Sequence, residues 1–254
     1  FYQFCGDYAG FAQQYLEEEH PGATAMFMAG CGGDQNPQPR GVVEWSRQRW
    51  PREPSAGIPY KSPRESLDLA QQHGLALANG VDAALIAYPQ LLEGPLRLTL
   101  GEVPLEFAEP LTREQLEQQA KSSDEREQRR AEVLLAELDR RGEDRTTYPY
   151  LIHAVQFGDD LTMVALAGEV VVDYALRLKK ELAGAPPLWI AGYSNDVFGY
   201  VPSARDLEEG GYEPVGSIGY YSALPSPFDP SIEEAIVGKV HEVVEEVRAK
   251  ANTE

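Results

Sequence analysis

Thr24-Ala25-Met26-Phe27-Met28-Ala29-Gly30 runs directly into Cys31-Gly32-Gly33-Asp34-Gln35-Asn36-Pro37. A short apolar run ending in glycines and an acid predicts a buried strand that delivers a glycine-rich loop to one end of a sheet. Upstream, Asp7 to Glu19 places Phe11, Tyr15 and Leu16 on one helical face. Downstream, Gln38 to Pro63 has neither helical nor strand period and reads as an irregular surface loop. From Arg64 to Tyr88, Leu67, Ala70, Leu77, Val81, Ala84 and Leu85 recur at helical spacing until Pro89 stops them.

Further along, Leu96, Leu98 and Leu100, then Val103, Leu105 and Phe107, alternate with their neighbours and predict a strand pair about a turn at Gly101. Thr112 to Arg141 is dense in charge of both signs with sparse apolar residues, the pattern of a solvated helical pair. Tyr150 to Phe157 and Leu161 to Leu166 flank Gly158-Asp159-Asp160, a hairpin signal. Ala167-Gly168-Glu169 is expected to open a helix reaching about Ala183. Pro187 to Ala191 reads as a buried strand entering the loop Gly192-Tyr193-Ser194-Asn195, and Ser231 to Ala251 carries an apolar helical stripe. The fold class is therefore α/β, with α+β as the alternative: a mixed β-sheet core flanked by helices, with a charged helical excursion over residues 112–145.

The 254 residues are 43% hydrophobic and 25% charged, values that suit one globular domain over 1–254. A net charge of -19 would repel a nucleic-acid backbone over most of the surface. No apolar run is long enough to span a membrane. The chain opens at Phe1 rather than at methionine and reads as processed or truncated. Cys5 and Cys31 exclude a disulfide framework but allow one bridge. The residues leave the compartment open.

Three loops follow three expected strands, and each presents polar groups, an arrangement that converges on one cleft when the strands share a sheet. They carry Asp34 and Asn36, then Glu169, then Ser194, Asn195, Asp196 and Tyr200. A carboxylate near a helix start also has a plain explanation in the helix dipole, and Tyr200 in a buried anchoring role. The histidines His20, His73, His153 and His241 form no His-x-His or His-x-x-x-His pair, so spacing alone does not build a zinc site. Nucleophile-elbow and phosphate-loop motifs are absent from the sequence.

Taken in order, Cys5-Gly6-Asp7-Tyr8-Ala9-Gly10-Phe11-Ala12, Gly33-Asp34-Gln35-Asn36-Pro37, Gly168-Glu169, Asn195 with Tyr200-Val201, and Gly211-Tyr212-Glu213 resemble landmarks of the neutral/alkaline, non-lysosomal ceramidases, zinc amidohydrolases of sphingolipid metabolism. The resemblance spans residues 5 to 221. It implies the C-terminal portion of that family's catalytic domain, with Glu169 and Tyr200 as zinc ligands and two further histidine ligands upstream of residue 1. It also implies that Tyr212 faces the scissile amide, that Gly33 and Asn195 border the substrate, and that the protein is secreted or periplasmic.

Asn36 stands where that family has its nucleophilic serine. An amide cannot serve as the nucleophile, but it can donate a hydrogen bond to an oxyanion or orient water. The expected function is zinc-dependent hydrolysis of an amide (N-acyl) or related acyl bond in a small-molecule or lipid-like substrate, with Asp34, Asn36 and Tyr212 as catalytic groups. The alternative is a non-catalytic ceramidase-like binding domain that has lost the nucleophile. A third reading uses the carboxylates of Asp34 and Glu169 for metal-free hydrolysis.

Overall fold

The structure, a computed structural model, describes residues 4–36, 63–87, 89–143, 145–184, 186–220 and 224–249. The irregular loop expected from Gln38 to Pro63 lies outside them except for Pro63, which is the first residue of a helix. The backbone divides into two compact units, residues 1–28 with 36–91 and residues 29–35 with 92–254.

In the smaller unit, α1 (Asp7–Glu19) packs on α2 (Pro63–Ile86). Contact is close because the residues at the crossing are small: Ala12 and Ala78 are buried. A side chain at Gly74 would stand 2.5 Å from the Phe11 Cβ and 2.8 Å from the Tyr8 carbonyl oxygen. His20, at the C-terminal end of α1, bonds Asp82 through Nε2 at 2.8 Å. The expected helices are both present, yet Leu77, Val81 and Leu85 of the α2 stripe are exposed.

The larger unit is built on a four-stranded sheet, with β1 (Leu96–Glu106), β2 (Thr147–Phe157), β3 (Leu161–Leu166) and β5 (Leu188–Ala191) in the order β1-β2-β3-β5. The first two pairings are antiparallel, and β3 to β5 is parallel. The Gly158 hairpin forms as expected, with the Asp160 amide donating to the Phe157 carbonyl. A second, two-stranded parallel sheet joins β4 (Glu169–Val170) to β6 (Tyr200–Val201). The fold is α/β.

Two helices accompany the sheet. α5 (Val172–Glu181) makes the crossover from β3 to β5, and α7 (Ile232–Ala249) packs against β1, β2 and β3. The stripe foreseen for α7 is the centre of the core: Ile232, Ile236, Val240, Val243, Val244 and Val247 are all buried with Leu105, Ile152, Val164 and Leu166. The opposite face of the sheet is not flanked in the same way, since Leu96, Leu98, Leu100 and Trp189 are exposed. The excursion is a helical pair, α3 (Arg113–Gln119) and α4 (Glu125–Arg141), closed by its own cluster of Leu116, Ala131 and Leu134. Thr112 and Gln115 form a capping box on α3. A short helix α6 (Ala204–Glu209) and a 3-10 turn at Gly216–Gly219 complete the unit.

Three expectations are corrected. Gly101 makes no turn: β1 runs unbroken from Leu96 to Glu106 because each residue is matched on β2, including Gly101 with Ile152. Thr24 to Gly30 forms no strand. Among the described residues its one ladder-like bond is from the Gly192 amide to the Ala29 carbonyl, and Met26 is 89% exposed, so apolar content without a neighbouring ladder leaves the segment irregular. Glu169 opens no helix either, because Glu169–Val170 is paired with Tyr200–Val201 and helical geometry begins only at Val172.

Among the described residues, no helix is long and apolar enough to cross a membrane, and Cys5 and Cys31 are unbridged.

The packing makes a direct contrast. Ile236→Ala, which empties a fully buried position, is expected to cost about 2–5 kcal/mol, whereas Val133→Ala on the exposed face of α4 should cost less than about 1 kcal/mol. Urea denaturation of the two variants checks this, and equal midpoints would contradict the core assignment.

Candidate functional site

The segment Gly168 to Val171 collects the predicted residues of the larger unit. On one side the Gly168 amide donates to the Asp196 carbonyl (2.7 Å), the Glu169 amide to Gly199 (2.8 Å) and the Val171 amide to Val201 (3.2 Å). On the other, the Gly33 amide donates to the Val170 carbonyl at 2.9 Å. Gly33 lies so close that an added Cβ would stand 2.4 Å from the Glu169 carbonyl oxygen, which explains why only glycine fits there.

Glu169 and Tyr200 are register partners of the parallel ladder. Partners on adjacent strands stand about 4.8 Å apart and send their side chains to the same face. Both are half-buried. The Tyr200 phenol is pushed up to about 12, first by burial and then by the charges of Glu169, Tyr212, Glu213 and Tyr193. The Tyr212 ring meets that of Tyr200 at a centroid distance of 5.9 Å and 75°. Tyr212 is 50% exposed. Its loop is fastened by the Ser217 amide, which donates to the Tyr212 carbonyl, and by the buried Ser217 hydroxyl, which donates to the Glu213 carbonyl.

Asp34 has a task of its own. Its Oδ1 accepts the Val172 amide at 2.8 Å, and Val172 is the first residue of α5, whose N-cap Val171 offers no side-chain bond. The carboxylate of the glycine-rich loop thus satisfies an orphan donor at the start of a helix. The helix-dipole explanation considered for Glu169 applies to Asp34 instead. Asn36 follows two residues later and is exposed. Cys31 is buried, and its thiol is pushed up to about 12 chiefly by desolvation, so it is an inert part of the core.

The third loop is strained. Tyr193 (φ 53°) and Asn195 (φ 70°) both occupy the left-handed region, which non-glycine residues seldom enter. The loop is held there because the Tyr193 amide donates to the Gly168 carbonyl and the Ser194 amide to the Leu166 carbonyl, both at 3.0 Å. Asn195 Nδ2 approaches His153 Nδ1 at 3.3 Å. Asp196 accepts the Tyr148 hydroxyl, and burial together with that bond pushes the Tyr148 phenol well above its ordinary range.

Gly33, Asp34, Glu169 and Tyr200 therefore meet around one short ladder, with Tyr212 against Tyr200 and Asn195 in the adjoining loop. Tyr193, Glu213 and Tyr220 belong to the same neighbourhood and were not singled out from the sequence. The density of tyrosines between residues 193 and 220 was the available signal. As a metal site the donors are a partial fit. Glu169 and Tyr200 offer two oxygens in register, but zinc takes three or four protein ligands, and among the described residues no group of three His, Cys, Asp or Glu side chains could hold a metal.

Comparison with known proteins adds no relative: no family profile, curated protein or solved structure matches the chain.

Removing the Asp34 carboxylate separates its anchoring role from any chemical one. Asp34→Ala is expected to lose about 1–2 kcal/mol of stability, and Asp34→Asn to recover part of it through the retained carbonyl acceptor. Thermal unfolding of the variants measures the loss, and an Asp34→Ala protein as stable as the parent would show that the Val172 contact does not anchor the loop.

Proposed function

We propose that this chain carries part of the active site of a zinc-dependent hydrolase of amide or related acyl bonds, resembling the neutral ceramidases. The single observation that supports the reading best is the pairing of Glu169 with Tyr200 in the β4–β6 ladder. These two residues are separated by thirty-odd positions, were assigned to one metal by the resemblance alone, and emerge as immediate neighbours on one face. In that reading two further histidine ligands, which the resemblance expects, complete the site.

Zinc held there would polarise the acyl carbonyl and lower the pKa of water toward about 7. The chain's own residues supply the remainder. Glu169 contributes a carboxylate and Tyr200 a phenol that is neutral at physiological pH. Tyr212, exposed beside Tyr200, donates its hydroxyl toward negative charge developing on the acyl oxygen. Asp34 and Gly33 fix the glycine-rich loop against the Glu169 strand, and the Asn36 amide orients water or substrate from the end of that loop.

One observation favours the non-catalytic alternative: Asn36 replaces the family serine and is exposed. The metal-free carboxylate reading is disfavoured, because one Asp34 oxygen already accepts the Val172 amide.

Zinc titration against a competing chelator tests the proposal. The chain by itself should bind zinc weakly, and Glu169→Gln and Tyr200→Phe should each weaken binding at least about tenfold. The chain extended upstream should bind tightly and hydrolyse an N-acyl substrate. Zinc affinity indifferent to both substitutions would remove the basis of the assignment.

A further inference from the structure

The charged helical pair, α3 and α4, closes an apolar cluster of its own, separate from the core around α7. Its two stems meet side by side. The Phe107 amide donates to the Thr146 carbonyl at 2.9 Å, and the incoming stem is fixed up to Ala108, whose amide donates to the Pro227 carbonyl and whose own carbonyl accepts the Ser226 hydroxyl. Beyond those bonds the chain enters the pair through Glu109, Pro110 and Leu111 and leaves it at Gly142, which sits in the left-handed region at φ 79°. Adjacent stems of this kind act as a hinge. Glu137, about one turn from the end of α4, pairs with Arg145 at 3.6 Å beside that hinge.

The far end of the pair is held by polar clasps. At the helical rise, Arg126 and Arg130 stand about 24 and 18 Å along α4 from Gly142. The Arg126 guanidinium donates to the Tyr220 hydroxyl at 2.9 Å and lies 5.2 Å from that ring's centroid. Arg130 donates through Nη2 to the Leu224 and Pro225 carbonyls at 3.0 and 2.8 Å. Among the described residues no carboxylate pairs with Arg130, its Nε is buried without a partner, and burial pulls its guanidinium below the ordinary arginine range. A donor that water would satisfy makes the closed arrangement costly and opening easier. Packing at the seam is also incomplete: a cavity of about 30 Å³, room for a water, lies between Leu111, Leu134 and Leu138 of the pair and Pro225.

Beneath that end lies the turn that carries the tyrosines. Among the named elements outside the pair, α4 packs chiefly on the 3-10 turn Gly216–Gly219. Tyr220 follows the turn directly, with its ring 6.2 Å from that of Tyr212. We propose that α3 and α4 form a hinged cover that swings as a unit about Pro110 and Gly142, and that the Arg126 and Arg130 clasps hold it shut on the loop 212–220. Charged donors on a hydroxyl and on carbonyls, in place of a continuous apolar seam, make a contact that opens without unfolding either side. The inference concerns motion alone and stands whether or not the Glu169–Tyr200 pair holds zinc.

Hydrogen exchange of the full chain tests it at three places: the Ser217, Ile218 and Tyr220 amides, which bond within the loop, the helical amides of α4, and those of α7. In the parent protein the loop amides should exchange at least about tenfold faster than those of α7. Arg130→Ala should speed the loop about tenfold more and Arg126→Ala severalfold, while exchange within α4 and α7 stays as in the parent. Arg130→Lys should fall between the parent and Arg130→Ala, because it keeps the charge but loses the fork of donors. Glu132→Ala, at an exposed position of α4, is the control and should change nothing, with circular dichroism verifying that each variant folds. A parent loop as slow as α7, or loop exchange unchanged in both alanine variants at the clasps, overturns the proposal. So does an α4 that loses protection together with the loop, because the pair would then melt and not swing.

Discussion

Four consecutive residues, Gly168 to Val171, carry backbone hydrogen bonds to both sides, and the candidate site exists because of them. The strand pairing with residues 196–201 fixes Glu169 beside Tyr200, while the Gly33 amide on the Val170 carbonyl brings the glycine-rich loop to the same place. Each bond contributes only about 1 kcal/mol. Their effect is one of geometry, since a short segment bonded on two sides cannot shift without breaking several at once.

That arrangement needs a rigid support, which the α7 core supplies. A helix with seven buried aliphatic residues lies across three strands whose inward positions are largely apolar. The loops at the strand ends are therefore held at fixed separations, and the loop after β5 tolerates two left-handed non-glycine residues. Asp34 adds a second tie, from the glycine-rich loop to the first turn of α5, so that the same helix start anchors two of the three loops.

The electrostatics follow from this packing. Tyrosines and carboxylates gather where the ladder ends, and the Tyr200 phenol is held neutral by burial and by its acidic neighbours.

Much of the fold was legible in the residues themselves. The periods of α1, α2 and α7, the charged helical pair and the Gly158 hairpin are local patterns, written by spacing and turn chemistry over a few residues. The errors have a shared cause. Gly101 stays in a strand because β2 continues beside it, Thr24 to Gly30 fails to become one because it gains a single ladder-like bond, and Glu169 is drawn into a ladder before its helix can begin. The site divides in the same way: sequence order named Gly33, Asp34, Asn36, Glu169, Asn195, Tyr200 and Tyr212, but not that Asp34 would bond the start of α5, nor that Tyr193, Glu213 and Tyr220 would join the cluster. Sequence by itself determined which segments could be helical or extended and which polar residues sat in loops, because those depend on neighbours along the chain. Only the tertiary structure decided which strands found partners and which side chains met, because a backbone hydrogen bond or a ring contact depends on what the rest of the chain places alongside.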